Sequence, residues 1–293
     1  MAQTQKDFSM TLNERIKALA QLGQFLKSGL KHEFKASEVE CDKLLNFKQL
    51  KKSIYQNTNP WFTSANILFA LEHTAKILEE KTLWDWLTPY KKALAQQDSK
   101  TILVVMAGNI PLVSFADFLA VLLLGHDFKG KCSAQNNTIL PALTEVLIGF
   151  EPRFKSKIKF VNDIHQSADA VLVTGNDNTG RLLRYTHRNK AICIRKNRTS
   201  IGLITGKESS ESLCLLADDV LRYYGKGCRN ITKIFVPRRY SFTPLIAALK
   251  EKQVLSKNPL FEKSYRYHKA LMTVENQSFY DCQFMLLAAS SSL

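Results

Sequence analysis

Thr101-Ile-Leu-Val-Val-Met-Ala-Gly-Asn-Ile-Pro111 decides the fold of this chain. Its first six residues form an unbroken apolar run, the pattern of a strand buried on both faces, as in parallel sheets. Gly108-Asn109 breaks the run, and from Ile110-Pro111 an apolar helix is expected to reach Leu124, where Gly125-His126 stops it. Working toward the C-terminus, the same reading expects strands over residues 128–134, 157–162, 170–174, 191–195 and 200–205. Helices are expected over 141–150 and 179–188. Strands alternating with helices of ten to fifteen residues indicate βαβ units, hence an α/β fold with a mostly parallel sheet.

Upstream of Thr101 the periodicity is helical. Ile16, Leu19, Leu22 and Leu26 recur at helical spacing and predict a helix over 11–30. A second helix is expected over 41–56, a turn at 57–60, and one or two helices over 61–97 that Pro89 must break. Trp84 and Trp86, beside that break, are expected in the core. Downstream, a serine-capped helix is expected over 209–224, a strand over 231–236 and a helix over 241–252, with a frayed end from 288.

Composition narrows the class. The 293 residues suffice for one large core or two linked ones. With 45% apolar and 23% charged residues the chain reads as a soluble globular enzyme. The N-terminus has no apolar h-region, and the longest apolar run (110–124) is too short to span a bilayer and carries Asp117. The cysteines at 41, 132, 193, 214, 228 and 282 form no CxxC or Cys/His cluster. Reduced thiols, a cytoplasmic location and no metal site are therefore expected. Cys193 reads as a core residue of its strand.

The formal charge of +15 asks for a polyanionic partner, either a nucleic acid or a phosphate-rich cofactor. No zinc-finger spacing, RNA-recognition signature or helix-turn-helix pattern supports the first. Arg181, Arg184, Arg188, Lys190, Arg195, Lys196 and Arg198 follow a glycine turn with no acid between Asp177 and Glu208. Arg181, Arg184 and Arg188 share one helix face, which either holds phosphates or is simply solvated.

Tyr223-Tyr-Gly-Lys-Gly-Cys-Arg-Asn230 is the stretch richest in chemistry. A thiol is a nucleophile as thiolate, and the cations Lys226 and Arg229 beside Cys228 favour that form. Gly225 and Gly227 free the backbone to present the sulfur.

Four elements stand in chain order: Gly108-Asn109-Ile-Pro111; Gly125 followed by Lys131; Thr174-Gly175 followed by Gly180; and Gly225-Lys-Gly-Cys228. Together with Leu221-Arg-Tyr-Tyr-Gly-Lys-Gly-Cys-Arg-Asn230, Ala107-Gly-Asn-Ile-Pro-Leu112 and Ser264-Tyr-Arg-Tyr-His-Lys269, they resemble the aldehyde dehydrogenase superfamily over residues 100–270. Within it the chain resembles most the acyl-CoA reductase family associated with bacterial luminescence. The resemblance implies an aldehyde dehydrogenase-like α/β fold: a helical N-terminal region plus Rossmann-like nucleotide-binding domain (1–207) and a shortened catalytic lobe (208–293). It implies NADPH-dependent reduction of a long-chain acyl-CoA to an aldehyde, and it is compatible with a homo-oligomer.

By the same resemblance Cys228 corresponds to the nucleophile that forms a thioester acyl-enzyme. Asn109 corresponds to an oxyanion donor; read without the family, an Asn before Ile-Pro is equally an N-cap. Lys131 corresponds to the lysine on the cofactor's adenosine ribose or its 2′-phosphate. Thr174, Gly175 and Gly180 correspond to the turn that approaches the pyrophosphate, and otherwise make an ordinary strand-to-helix turn. Aldehyde-oxidising members carry a glutamate base just before the position of Ser200. Here Ile192-Cys-Ile-Arg-Lys-Asn-Arg-Thr199 has no carboxylate, which favours reduction. Only 65 residues follow Cys228, fewer than the family's catalytic domain needs, so a relative that binds nucleotide or acyl groups without turnover is the alternative.

Overall fold

The computed structural model describes residues 10–31, 50, 52, 59–94, 98–134, 138–175, 177–195 and 198–290. The helix expected over 41–56 (all but residues 50 and 52), the first half of the turn at 57–60 and residues 291–293 lie outside that set. The chain forms two compact units, 1–197 and 198–293.

The first unit opens with helices α1 (Leu12–Lys31), α2 (Ser64–Ile77), α3 (Glu80–Leu87) and α4 (Lys91–Leu94). Ile16, Leu19, Leu22 and Leu26 are buried along one stripe of α1, which packs on α2. Pro89 lies in a 3₁₀ turn, Thr88–Tyr90, between α3 and α4. The tryptophan expectation fails in part. Leu83 and Leu87 form the buried i, i+4 pair of α3, so Trp86 falls off that stripe and is 41% exposed, while Trp84 is half-buried.

Five parallel strands follow: β1 (Thr101–Val105), β2 (Asp127–Lys131), β3 (Ile158–Phe160), β4 (Ala170–Thr174) and β5 (Ala191–Arg195). Their spatial order is β3-β2-β1-β4-β5. The crossovers through α5 (Phe115–Leu123) and α6 (Ile139–Phe150) step one way from β1, and the crossover through α8 (Asp177–Thr186) steps the other; a one-turn helix, α7 (Phe154–Lys157), leads into β3. Right-handed crossovers therefore put α5 and α6 on one face and α8 on the other. Phe118 of α5 meets Phe128 edge-to-face at 5.0 Å on the first face. Leu183 of α8 packs with Leu103, Val105, Val171 and Val173 on the second.

Helix α5 starts four residues later than expected. Leu112 takes a left-handed φ of 54°, residues 111–114 form a turn, and Ser114 occupies the N-cap position. Gly125, at φ 78°, ends the helix, and Arg15 Nε of α1 donates to the Leu123 carbonyl at 3.1 Å. Cys193 also departs from expectation. Edge strand β5 turns Ile192 and Ile194 toward α8, so Cys193 faces the opposite side and is exposed.

In the second unit β6 (Ser200–Leu203) pairs in parallel with β7 (Ile231–Phe235), connected through α9 (Ser210–Leu221). Ser209 caps α9 by accepting the Ser212 N–H at 3.1 Å. Leu213, Ala217 and Leu221 of α9 pack with Leu245 and Leu249 of α10 (Thr243–Lys250) and with Phe284. Helix α11 (Pro259–Val274) and the hairpin of β8 (Phe279–Asp281) and β9 (Leu286–Ala288) complete it. None of these three was expected. No residue of α11 is fully buried, but its Phe261 packs against the core of this unit.

Candidate active site

The strand order of the first unit is that of a doubly wound dinucleotide fold, with its switch point between β1 and β4. In such sheets ligands bind in the crevice beyond the carboxyl ends of the strands at that point. Asn109, Lys131, Thr174 and Gly175 lie at that end, whereas Gly125 precedes the amino end of β2. Asn109 sits in the loop after β1, Lys131 is the last residue of β2, Thr174 is the last of β4, and Gly175 begins the next turn. The register aligns Val105 with both Lys131 and Val173, so these ends are level across three strands.

Asn109 is half-buried in its loop. Its N-cap reading is overturned, because the helix it would cap begins at Phe115 with Ser114 as the capping residue. Gly180 lies in the first turn of α8 and is buried against β5. A Cβ there would stand 3.1 Å from Ile194 Cγ2, so its smallness sets how closely α8 approaches the sheet. Arg181, Arg184 and Arg188 are exposed, which favours the solvated-face reading.

Beyond the ends of β2 and β3 lies a cavity of about 400 Å³ lined by Lys131, Cys132, Pro141, Phe160 and Asn162 among others. Phe160 gives it an aromatic wall, and Ser133 and Asn162 add polar side chains. Burial pushes the Cys132 thiol up to about 11, so that sulfur contributes no nucleophile there.

Sequence reasoning missed Asp117. It lies in the first turn of α5, is 4% exposed, and accepts a hydrogen bond from the Arg195 guanidinium at the end of β5. Its other oxygen accepts from Thr174 Oγ1 at 3.5 Å. The signal was present as a lone acid within the apolar run of 110–124.

In the second unit Cys228 is half-buried in the loop between α9 and β7. A 3₁₀ turn, Arg222–Gly225, leads into it, with Tyr223, Tyr224 and Gly225 all left-handed at φ 54°, 60° and 70°. That conformation costs about 1–2 kcal/mol at each tyrosine and persists only when its surroundings enforce it. Asn230, 6% exposed, does so. Its Nδ2 donates to the carbonyls of Asp219 (2.8 Å), Val220 (3.3 Å) and Arg222 (3.0 Å), while its Oδ1 accepts the Gly227 N–H at 2.7 Å. One side chain thus ties the end of α9 to the residue preceding Cys228. Two other thiols of this unit are held protonated: the Glu251 hydrogen bond raises Cys214, and burial raises Cys282.

Solved structures share this architecture. No family model and no curated protein matches the chain. The fold is that of aldehyde dehydrogenases. The chain is similar to an NAD-dependent benzaldehyde dehydrogenase from Corynebacterium glutamicum, with TM-score 0.63 and 11% identity over 96% of this chain and 67% of that one. It is also similar to HpcC from Thermus thermophilus, with TM-score 0.57 and 13% identity over 84% and 48% of the two chains. A putative aldehyde dehydrogenase from Burkholderia cenocepacia matches at TM-score 0.56 and 12% identity over 83% and 52%. The chain spans about half the length of these last two structures. None of the described helices is long and apolar enough to cross a membrane.

Proposed function

We propose that this chain carries the chemistry of an acyl-CoA reductase, converting a long-chain acyl-CoA to the aldehyde with NADPH as the reductant. The observation that carries the reading is the Cys228 loop, a half-buried sulfur at the end of a backbone strained into the left-handed region and pinned by Asn230. Structural cysteines need no such support.

The Cys228 thiolate attacks the thioester carbonyl, the carbon–sulfur bond to coenzyme A breaks, and the acyl group remains on Sγ as a new thioester. The oxyanion formed on the way needs a hydrogen-bond donor, the role that the resemblance gives to Asn109. Lys131 and the cavity beside it suit the adenosine end of a nicotinamide dinucleotide, and the Thr174-Gly175 turn with the N-terminus of α8 suits its pyrophosphate. When bound, that dinucleotide supplies the hydride that takes the acyl group to the aldehyde. Water must be kept from the acyl-enzyme meanwhile. The segment 192–199 before Ser200 carries no carboxylate that could activate water, which favours reduction over hydrolysis.

The test is NADPH oxidation with long-chain acyl-CoA by the parent chain and by Cys228→Ala, with mass spectrometry for the acyl adduct in the absence of nucleotide. The expected result is an adduct on Cys228 and no turnover in the variant. Equal turnover in both removes the cysteine mechanism. Nucleotide binding without adduct or turnover in either supports a binding-only protein instead.

A further inference from the structure

The ion pair between Asp117 and Arg195 joins the start of α5 to the end of β5. A carboxylate 4% exposed in an apolar helix costs several kcal/mol unless a partner compensates it. The partner comes from a residue 78 positions away. Arg195 is held asymmetrically. One guanidinium nitrogen is on Asp117, while 43% of its side chain faces solvent. A guanidinium carries five donors, and one anchoring contact fixes its direction without exhausting them.

Its place is equally specific. Arg195 ends β5 in register with Thr174, and the Gly175 N–H donates to the Arg195 carbonyl at 3.3 Å. Arg195 is therefore the immediate neighbour of the glycine turn at the switch point. Asp117 meanwhile occupies the first turn of α5, where its charge offsets the positive end of that helix dipole. The helix after β1 thus loses much of its attraction for anions, and the cation at this end of the sheet is displaced to Arg195. From Lys131 on β2 to Arg195 on β5 there are three strand spacings, about 14 Å, so the two cations can serve different groups of one extended ligand.

We propose that Arg195, anchored by Asp117, is the pyrophosphate-binding cation of this crevice, distinct in role from Lys131 at the adenosine end. The proposal rests on the dinucleotide reading above and adds a residue to it. Asp117 anchors the guanidinium, and Thr174 Oγ1 lies 3.5 Å from the other oxygen of Asp117.

The experiment compares calorimetric binding of ADP-ribose, which contains the pyrophosphate, and of adenosine 2′-monophosphate, which does not. The Asp117→Asn, Arg195→Met double variant avoids leaving a buried unpaired carboxylate, and its melting midpoint is followed alongside. The double variant leaves the net charge unchanged, and Lys155→Met, on the opposite edge of the sheet, tests whether removing a cation elsewhere on this unit weakens binding. The double variant is expected to bind ADP-ribose roughly 10- to 100-fold more weakly, the worth of a charged hydrogen bond. Adenosine 2′-monophosphate and the Lys155 variant should be unaffected. Unchanged ADP-ribose affinity in the double variant overturns the role of Arg195 while the dinucleotide reading stands. Equal weakening of both ligands overturns the pyrophosphate assignment. A parent chain that binds neither ligand overturns the dinucleotide reading and the Arg195 role together.

Discussion

Asn230→Ala should loosen the cysteine loop more than any other single truncation in it. The substitution removes the donor to the carbonyls of Asp219 and Arg222, at 2.8 and 3.0 Å, and the acceptor for the Gly227 N–H at 2.7 Å. These three short bonds, at about 1 kcal/mol each, predict a loss of about 3 kcal/mol. The longer contact to Val220 at 3.3 Å adds little. At about 2–4 °C per kcal/mol the melting midpoint should fall by about 6–12 °C. The second readout is local. With the loop unpinned, Tyr223 and Tyr224 can leave the left-handed region, and alkylation of Cys228, followed residue by residue by mass spectrometry, should quicken. Cys132, Cys214 and Cys282, whose thiols are held protonated, should react as before. Asn230→Asp sharpens the test, because it keeps the acceptor for Gly227 but points a carboxylate at three carbonyl oxygens. Those oxygens raise the folded-state pKa of the new acid above its unfolded value of about 3.9. Its protonated form can donate as the amide does, so the variant should regain stability as pH falls toward that value and lose it as pH rises. An unchanged midpoint in Asn230→Ala together with an unchanged Cys228 rate would falsify the claim that Asn230 holds this loop.

Two further outcomes follow from the first unit. Gly130→Ala places a Cβ 2.4 Å from Phe128 Cε1 and 3.0 Å from Met106 Cε, inside a packed aromatic cluster, and should cost about 1–3 kcal/mol in denaturant unfolding; a cost near zero would show that Phe128 swings aside. Burial, with help from Lys100 and Arg15, lowers the pKa of His126, whose Nδ1 accepts the Lys100 N–H at 3.3 Å. The unfolded chain therefore takes up that proton first, near pH 6.5. Stability should drop between about pH 7.5 and 5.5, and by less in His126→Gln; equal drops in both would clear His126 of the effect.

The parallel sheet was legible because each strand is a short apolar run closed by a turn residue. Residues 170–174 and 191–195 are strands to the residue, and Ser209 caps its helix. Local signals of this kind depend only on neighbours in the chain. Where packing decided, reading from sequence went astray. Pro111 looked like a helix start, but a left-handed Leu112 delays α5 to Phe115, and this is why Asn109 is not a cap. Cys193 looked buried because β5 is apolar, but β5 closes the sheet order and turns that position outward. Helix α11 was not expected at all, although its Phe261 packs against the core of the second unit. Of the candidate site, the glycine turns and the cysteine loop could be seen in sequence. The restraints that shape them could not, because Asn230 acts through backbone carbonyls whose positions depend on the end of α9.

Asp117 shows how such a restraint can nonetheless be inferred. In sequence it served only to argue against a membrane span, as one acid among fifteen mostly apolar residues. An apolar helix that packs on a sheet keeps its polar residues outward unless a partner waits inside, since an unpaired buried carboxylate is too costly to retain. The acid therefore implied a cation on the sheet it covers, at the carboxyl edge because Asp117 lies in the first turn of its helix. The strands of that sheet offer few cations at that edge. Lys131 ends β2 and Arg195 ends β5, and the pleat decides between them. Lys131 is in register with Val105, on the face covered by α8, whereas Arg195 is in register with Thr174, on the face covered by α5. Only Arg195 shares a face with Asp117. The same alternation that turns Ile194 toward α8 and exposes Cys193 thus brings an acid and a base together beside the glycine turn, and the cationic run after Gly180 acquires one member with a fixed direction.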